Sequence, residues 1–309
     1  MISLESVTKL YGSVIGANDV SFALPPGAFG LLGPNGSGKS TLLNLITGQI
    51  RPTLGRLSVL GGNPAHNREV LRQIGYCPET DVLYANISAI EWVCYLLRLQ
   101  GFGRAEAKRR AETALEQVGM SEAMRRAMGG YSRGMRQRVK LAQAVAHDPA
   151  MLVLDEPLNG LDPVARFEMT TFLRRWAVGE RLLLMASHVL HEVEAVTGTF
   201  MLIYGGRLLA SGSAGEIQEL LAGAANEIRI RCDRPLDLAR RALAQNDVTT
   251  VRLGDDGSLV LGAACPAAVF AGLPQWIGET GVEVYEVQCR DDSLQNLFAA
   301  ILRLHRGAV

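Results

Sequence analysis

The stretch GPNGSGKS, Gly33–Ser40, fits the pattern G-x-x-x-x-G-K-S/T and stands where that pattern has structural meaning. Before it runs the apolar segment FGLL (Phe29–Leu32), and after it TLLNLITG (Thr41–Gly48), apolar at helical spacing and closed by a glycine. A strand, a glycine loop and a helix are therefore predicted in that order. Gly33, Pro34, Asn35, Gly36, Ser37 and Gly38 let the backbone curl with its N–H groups turned inward around phosphates. Lys39 then reaches the β- and γ-phosphates, Ser40 ligates Mg²⁺, and Thr41 continues the cradle into the helix. A chance glycine turn would lack the flanking strand and helix.

Two further apolar runs extend the pattern. MLVLDEP (Met151–Pro157) and RLLLMASH (Arg181–His188) read as buried strands, and the helical stretch Pro163–Ala177 between them makes the sheet parallel. Asp155 closes the first run and Glu156 follows at once. At a strand end of a phosphate-loop fold, an aspartate orients Mg²⁺ through water and a carboxylate one residue on polarises an attacking water. Asp155 is thus the metal candidate and Glu156 the base candidate; the plain alternative is a pair of solvated acids. His188 follows the second run. A histidine there is more often a hydrogen-bonded structural residue, but ligands of a parallel sheet gather beyond the carboxyl ends of its strands, which makes it a candidate contact for the γ-phosphate. His66, His147, His191 and His305 have no such placement and read as surface residues. YSRGMRQR (Tyr131–Arg138) sets a hydroxyl and a glycine before a basic, apolar helix, and such a helix start can hold an anion.

The 309 residues are 48% hydrophobic and 20% charged, which is ordinary for a globular chain with one large or two modest cores. Lys+Arg and Asp+Glu are both 31, so no global field draws the protein to nucleic acid, and such a role needs a local basic patch. Cys77, Cys94, Cys232, Cys265 and Cys289 are odd in number, scattered and without a C-x-x-C pair. That argues against a disulfide frame or a zinc site and predicts reduced, half-buried thiols. MISLESVTKLYG at the start has no signal-peptide pattern, and no apolar run approaches the roughly 18 residues of a spanning helix. A soluble, cytoplasmic chain is expected.

Strand-like alternation opens the chain at Ile2–Lys9 and returns at Val20–Leu24. From about 86 to 147 the period becomes helical, with charged runs such as GRAEAKRRAETALEQVG, which predicts a helical insert between α/β parts. A strand pair around TFMLIYGGRLLASGS and a helix near Gly215–Ala222 precede AGAAN, taken as a boundary. The tail reads strand, helix, two strands joined by GDDG, helix, strand and final helix. The expected domains are 1–222 and 226–309, the second a small α+β domain of βαββαβ type.

The motif order of phosphate loop, helical insert, YSRGM, LVLDEP, NGLDP and SH resembles the nucleotide-binding subunit of an ATP-binding cassette (ABC) transporter over roughly Ile2–Leu221. The resemblance implies a P-loop NTPase ABC ATPase domain of α/β class with an antiparallel β subdomain, binding ATP and Mg²⁺. It also implies that Tyr11 stacks on adenine, that Asn159–Asp162 form a loop coupling two subunits, and that Ser132 and Gly134 belong to the family signature. In this family two such subunits, copies or close paralogues, pair head to tail, each nucleotide lying between one phosphate loop and the other's signature. Two departures stand out. The signature is usually L-S-G-G-Q, and here Arg133 replaces a glycine and Met135 the glutamine. Arg133 either adds charge near the phosphate or points into solvent. Glu79, in IGYCPET, stands where the family usually has a glutamine that contacts Mg²⁺ and the membrane partner. A carboxylate can still ligate the metal or its water, but it cannot donate a hydrogen bond.

These departures, and a tail with a DSLQNLF helix, resemble the branch that serves separate exporter-type (ABC-2) membrane proteins. The leading expectation is an ATPase that drives such a permease by closing and opening a nucleotide sandwich, peripheral on the inner face of the cell membrane. A groove near Glu79, Leu83, Tyr84 and Trp92 would receive a permease helix, unless those residues are core. The alternative is a soluble ABC protein acting as an ATP-dependent switch on ribosomes or DNA. Such proteins generally carry two cassettes and a charged linker, whereas this chain has one cassette and no basic tract, so no nucleic-acid partner is expected.

Overall fold

The computed structural model describes residues 1–80, 83–213, 216, 226–254, 256–263 and 266–289. The chain forms two compact units, Met1–Ala214 and Gly215–Val309. The first is built on two sheets. The smaller is antiparallel in the order β2 (Val14–Leu24), β1 (Ile2–Tyr11), β4 (Leu54–Val59). Ile2 and Leu4 of β1 are buried, and so is Val7, out of phase with them. A register shift between Leu4 and Val7, where Ser6 has φ 49°, restores the inward face after the change of parity.

The larger sheet has the order β5 (Ile74–Cys77), β6 (Met151–Asp155), β7 (Leu182–Ser187), β3 (Gly27–Leu32), β8 (Thr199–Tyr204), β9 (Arg207–Ser213). The first five strands run parallel and β9 closes the sheet as an antiparallel hairpin with β8. Every residue of β6 and β7 is buried, as central strands covered on both faces require. Helix α1 (Lys39–Ile46) follows β3 and buries Leu42, Leu43, Leu45 and Ile46. A single turn, α2 (Arg68–Leu71), precedes β5. β5 has only four residues and no alternation long enough to mark it in the sequence.

The helical insert comprises α3 (Ala89–Leu99), α4 (Arg104–Gln117) and α5 (Arg133–Val145). Ser88 and Glu91 form a reciprocal capping box that starts α3. α4 faces solvent with its charges and buries only Ala107, Ala111, Ala114 and Leu115. Helices α6 (Pro163–Trp176), capped by Asp162, and α7 (Leu190–Glu194) follow β6 and β7. Among the described residues no helix is long and apolar enough to cross a membrane.

The second unit has a four-stranded antiparallel sheet in the order β11 (Val248–Leu253), β12 (Leu259–Ala263), β10 (Asn226–Cys232), β13 (Val284–Cys289). Helix α8 (Pro235–Ala242) and helix α9 (Pro266–Thr280) supply Leu238, Val269, Leu273 and Trp276 to a core with Ile228, Ile230, Leu259 and Leu261. The described elements run β-α-β-β-α-β. The helix expected near Gly215–Ala222, save Glu216, the AGAAN boundary, save Asn226, and the final DSLQNLF helix lie outside the described residues, as does His305.

Two expectations are corrected. Cys77 is fully buried in β5, and burial pushes its thiol up to about 12, so it is an inert core group. His147 is half-buried rather than on the surface; its Nε2 faces the Ile74 carbonyl at 3.2 Å, and its Nδ1 is buried without a partner. Protonating Nδ1 would leave an unsatisfied N–H in the interior, and burial holds the imidazole below its ordinary value. The sign follows from linkage: the unfolded chain takes the proton first, so this contribution to stability is present above the ordinary histidine range and is lost as pH falls through the folded value. Urea unfolding between about pH 7 and pH 5 should therefore show a loss of stability on acidification that His147→Gln reduces.

Candidate nucleotide-binding site

The carboxyl ends of three adjacent strands converge: β3 runs into Gly33, β6 ends at Asp155 and β7 at Ser187. Gly38 has φ 106°, and a Cβ there would stand 2.5 Å from the Gly16 carbonyl oxygen, so only glycine can start α1 at this point. No side chain caps α1, and its first N–H groups are open to a ligand. Lys39 is buried; its Nζ donates to the Gly33 carbonyl at 2.8 Å and lies 3.5 Å from Glu156 Oε1. The Ser40 hydroxyl donates to Asp155 Oδ2 at 2.8 Å.

Two buried polar atoms at this edge lack partners: Ser37 Oγ beside the loop and Asp155 Oδ1. Orphaned groups of this kind normally find a ligand, ion or water. A triphosphate oxygen suits the Ser37 hydroxyl, and a metal-bound water suits Asp155, so the residues present fit both groups. Among the described residues no three His, Cys, Asp or Glu side chains could by themselves hold a metal. Mg²⁺ keeps several waters and takes phosphate oxygens, so it needs no such protein cage. Burial first, then the Glu79 and Glu156 charges, pushes the Asp155 carboxyl up, opposed by the Ser40 hydrogen bond and Lys39. A divalent cation would relieve that penalty.

Glu156 is held in a left-handed backbone conformation, φ 50°. Such strain persists where the surroundings over-determine it. Its N–H donates to the Ala186 carbonyl at 2.9 Å, and its carboxylate gathers the Ser187 hydroxyl at 3.2 Å, His188 Nδ1 at 2.9 Å and Lys39. Ser187 also reaches Glu192 Oε2 at 3.3 Å. His188 is half exposed and, with Nδ1 on Glu156, keeps Nε2 for another group. Lys39, Ser40, Asp155, Glu156 and His188 are thus brought together at one sheet edge.

Tyr11 sits at the end of β1 with 45% of its surface exposed. Its ring edge and Thr41 pinch Gly16, where a Cβ would lie 2.6 Å from Tyr11 Cε2 and 3.0 Å from the Thr41 side chain. The ring edge therefore stands near Thr41 at the start of α1, while Lys9 Nζ lies over the ring at 5.4 Å from its centre. Glu79 is exposed just past β5 and close enough to act on Asp155 by charge.

The signature residues stand elsewhere. Ser132 caps α5, accepting from the Met135 N–H at 3.2 Å, and Tyr131 anchors the turn before it through the Ala123 carbonyl at 2.6 Å. Arg133 is exposed, its stem lying against Gly160. Among the described residues no hydrogen bond joins Ser132 or Gly134 to the phosphate loop. Of the aromatic group by Glu79, Trp92 is buried and donates Nε1–H to Gln143 at 2.7 Å, while Tyr84 is exposed with its ring 5.3 Å from that of Trp92. Sequence reasoning missed Gln137, Lys140, Ser187 and Glu192, all buried polar residues on otherwise apolar faces. A polar residue interrupting an apolar stripe was their one available signal.

The sequence pattern of the family described as ABC transporter matches residues 17–159. The chain is 37% identical over 221 residues to the uncharacterized ABC transporter ATP-binding protein YxlF of Bacillus subtilis, covering 71% of this chain and 72% of that one. It is 28% identical over 314 residues to the bacitracin transport ATP-binding protein BcrA of Bacillus licheniformis, covering 98% of this chain and 97% of that protein. A solved structure of an ATP-binding subunit of an ABC transporter superposes with a TM-score of 0.65 at 27% identity, covering 72% of this chain and 93% of that one. Similarity of this extent, laid over the sheet edge just described, settles the family: the chain belongs to the ABC transporters, among their ATP-binding ATPase subunits.

Proposed function

We propose that the protein is the ATPase of an exporter of ABC-2 type, working as a head-to-tail nucleotide sandwich that drives a separate membrane permease. The observation that carries this reading is the pair of orphaned buried groups, Ser37 Oγ and Asp155 Oδ1, flanking the uncapped start of α1. Their chemistry fits a phosphate chain and its metal. The exposure of Ser132 at the start of α5 supports a second copy, or a close paralogue, as the source of the signature facing each nucleotide. Similarity to a bacitracin transport protein along nearly the whole chain supports the exporter reading.

In this reading Gly33–Thr41 cradle the triphosphate and Tyr11 stacks on adenine. Ser40, Asp155 and Glu79 hold Mg²⁺, directly or through water. The bound metal neutralises charge on the phosphate oxygens. Glu156 takes the proton of the attacking water, with Lys39 and His188 fixing its carboxylate, and His188 Nε2 meets the γ-phosphate. Ser132 and the N–H groups behind it meet the γ-phosphate of the partner's nucleotide. Residues 1–222 form the nucleotide-binding domain and 226–309 an accessory domain that braces the pair. Tyr84, exposed over Trp92, offers the permease an aromatic contact at the cytoplasmic face of the membrane.

Affinity purification of the tagged chain from detergent-solubilised membranes tests this. A multispanning membrane protein is expected to copurify. Ribosomal RNA or DNA in its place would overturn the transport reading in favour of a nucleic-acid switch.

A further inference from the structure

Helix α5 buries two polar side chains one turn apart on one face, Gln137 and Lys140. Gln137 Nε2 donates to the Pro157 carbonyl at 2.9 Å and the Glu156 carbonyl at 3.4 Å. Lys140 is 3% exposed, and its ammonium donates to the carbonyls of Glu79 at 2.8 Å, Pro78 at 2.9 Å and Thr80 at 3.5 Å. Burying a lysine costs more than burying a leucine of similar size, so the carbonyl contacts must decide the geometry here. Among the described residues no other hydrogen bond holds the segment beyond β5. β5 is four residues long, and its ladder with β6 ends at the Cys77–Leu154 pair.

We propose that Lys140 is a positioning residue for Glu79: it clamps the backbone of Pro78–Thr80 so that the Glu79 carboxylate is presented to the metal beside Asp155. The same helix begins at Ser132, so movement of the signature end reaches Glu79 through Lys140 and Glu156 through Gln137. One buried face of α5 thereby links the signature of one nucleotide site to the metal and base side chains of the other. The inference rests on the reading of Glu79 as a metal ligand, and the test separates the two.

Mn²⁺ binding is read by electron paramagnetic resonance on the full chain with a non-hydrolysable ATP analogue, and analogue affinity is measured separately in chelator. Lys140→Met is expected to lower Mn²⁺ affinity about tenfold, the scale for losing a group that orients a metal ligand, with analogue affinity in chelator unchanged. Lys140→Arg, which keeps the donors, should recover most of it. Glu79→Ala should show a similar loss, and adding Lys140→Met to it should cost nothing further. Wild-type Mn²⁺ affinity in Glu79→Ala overturns the metal reading of Glu79. A loss in Glu79→Ala with wild-type affinity in Lys140→Met overturns the role of Lys140. Hydrogen exchange on the wild-type protein needs no variant: the Glu79 and Thr80 amides and those of α5 should gain protection together on binding the Mn²⁺-loaded analogue. Protection of α5 alone overturns the clamp.

Discussion

Glu156→Gln binds ATP as the native protein does but turns it over about 10²–10⁴-fold more slowly, the range that a positioned proton acceptor contributes. The amide has the same shape: its one oxygen can still accept from His188, which meets one Glu156 oxygen at 2.9 Å, and its NH2 can donate to the Ser187 hydroxyl, which meets the other at 3.2 Å. It cannot accept a proton from water at neutral pH. Lys39, 3.5 Å away, keeps the Gly33 carbonyl as a partner, so the loop retains its cation. In the proposed sandwich, nucleotide bound without turnover would hold two copies closed, and size-exclusion chromatography with ATP should then show a stable dimer for this variant alone. Phosphate release at the native rate would remove Glu156 as the base.

Lys39→Ala fails one step earlier. The β- and γ-phosphates lose their cation, and the buried Glu156 carboxylate loses a charged neighbour. Truncating one partner of a buried charge pair costs about 2–5 kcal/mol, which lowers ATP affinity roughly 30- to 4,000-fold. Equilibrium titration with a fluorescent ATP analogue measures this, and an unchanged dissociation constant would count against the assignment of the loop. Together the variants separate binding from turnover: Glu156→Gln loses only the second, Lys39→Ala both.

Much of the arrangement of this candidate site is legible in the sequence. The phosphate loop is local, its strand, turn and helix being contiguous from Gly27 to Ile46, and a contiguous pattern survives in one dimension. Asp155, Glu156 and His188 were readable because each follows an apolar run that must be a covered parallel strand, and the chemistry of such sheets lies at their carboxyl ends. Ser187 and Glu192 were not readable. The polarity of Ser187 has meaning through Glu156, 31 residues away in sequence and 3.2 Å away in space, and that of Glu192 through Ser187 and Arg166. His147 was misjudged for a similar reason, since the carbonyl its Nε2 faces belongs to Ile74 of β5, 73 residues earlier. β5 itself left no trace, because four residues are too few to show a period.

The sequence by itself determined the family, the order of the candidate-site segments and the strand, loop and helix of the phosphate-loop pattern, since those reside in runs of neighbouring residues whose spacing sets helix or strand. Only the tertiary structure decided that α5 grips both Glu79 and Glu156 by their backbones, through Lys140 and Gln137. A backbone carbonyl is the same in every residue, so a hydrogen bond to one leaves no mark on the partner's side chain; the fold alone reveals which carbonyls a buried ammonium has reached.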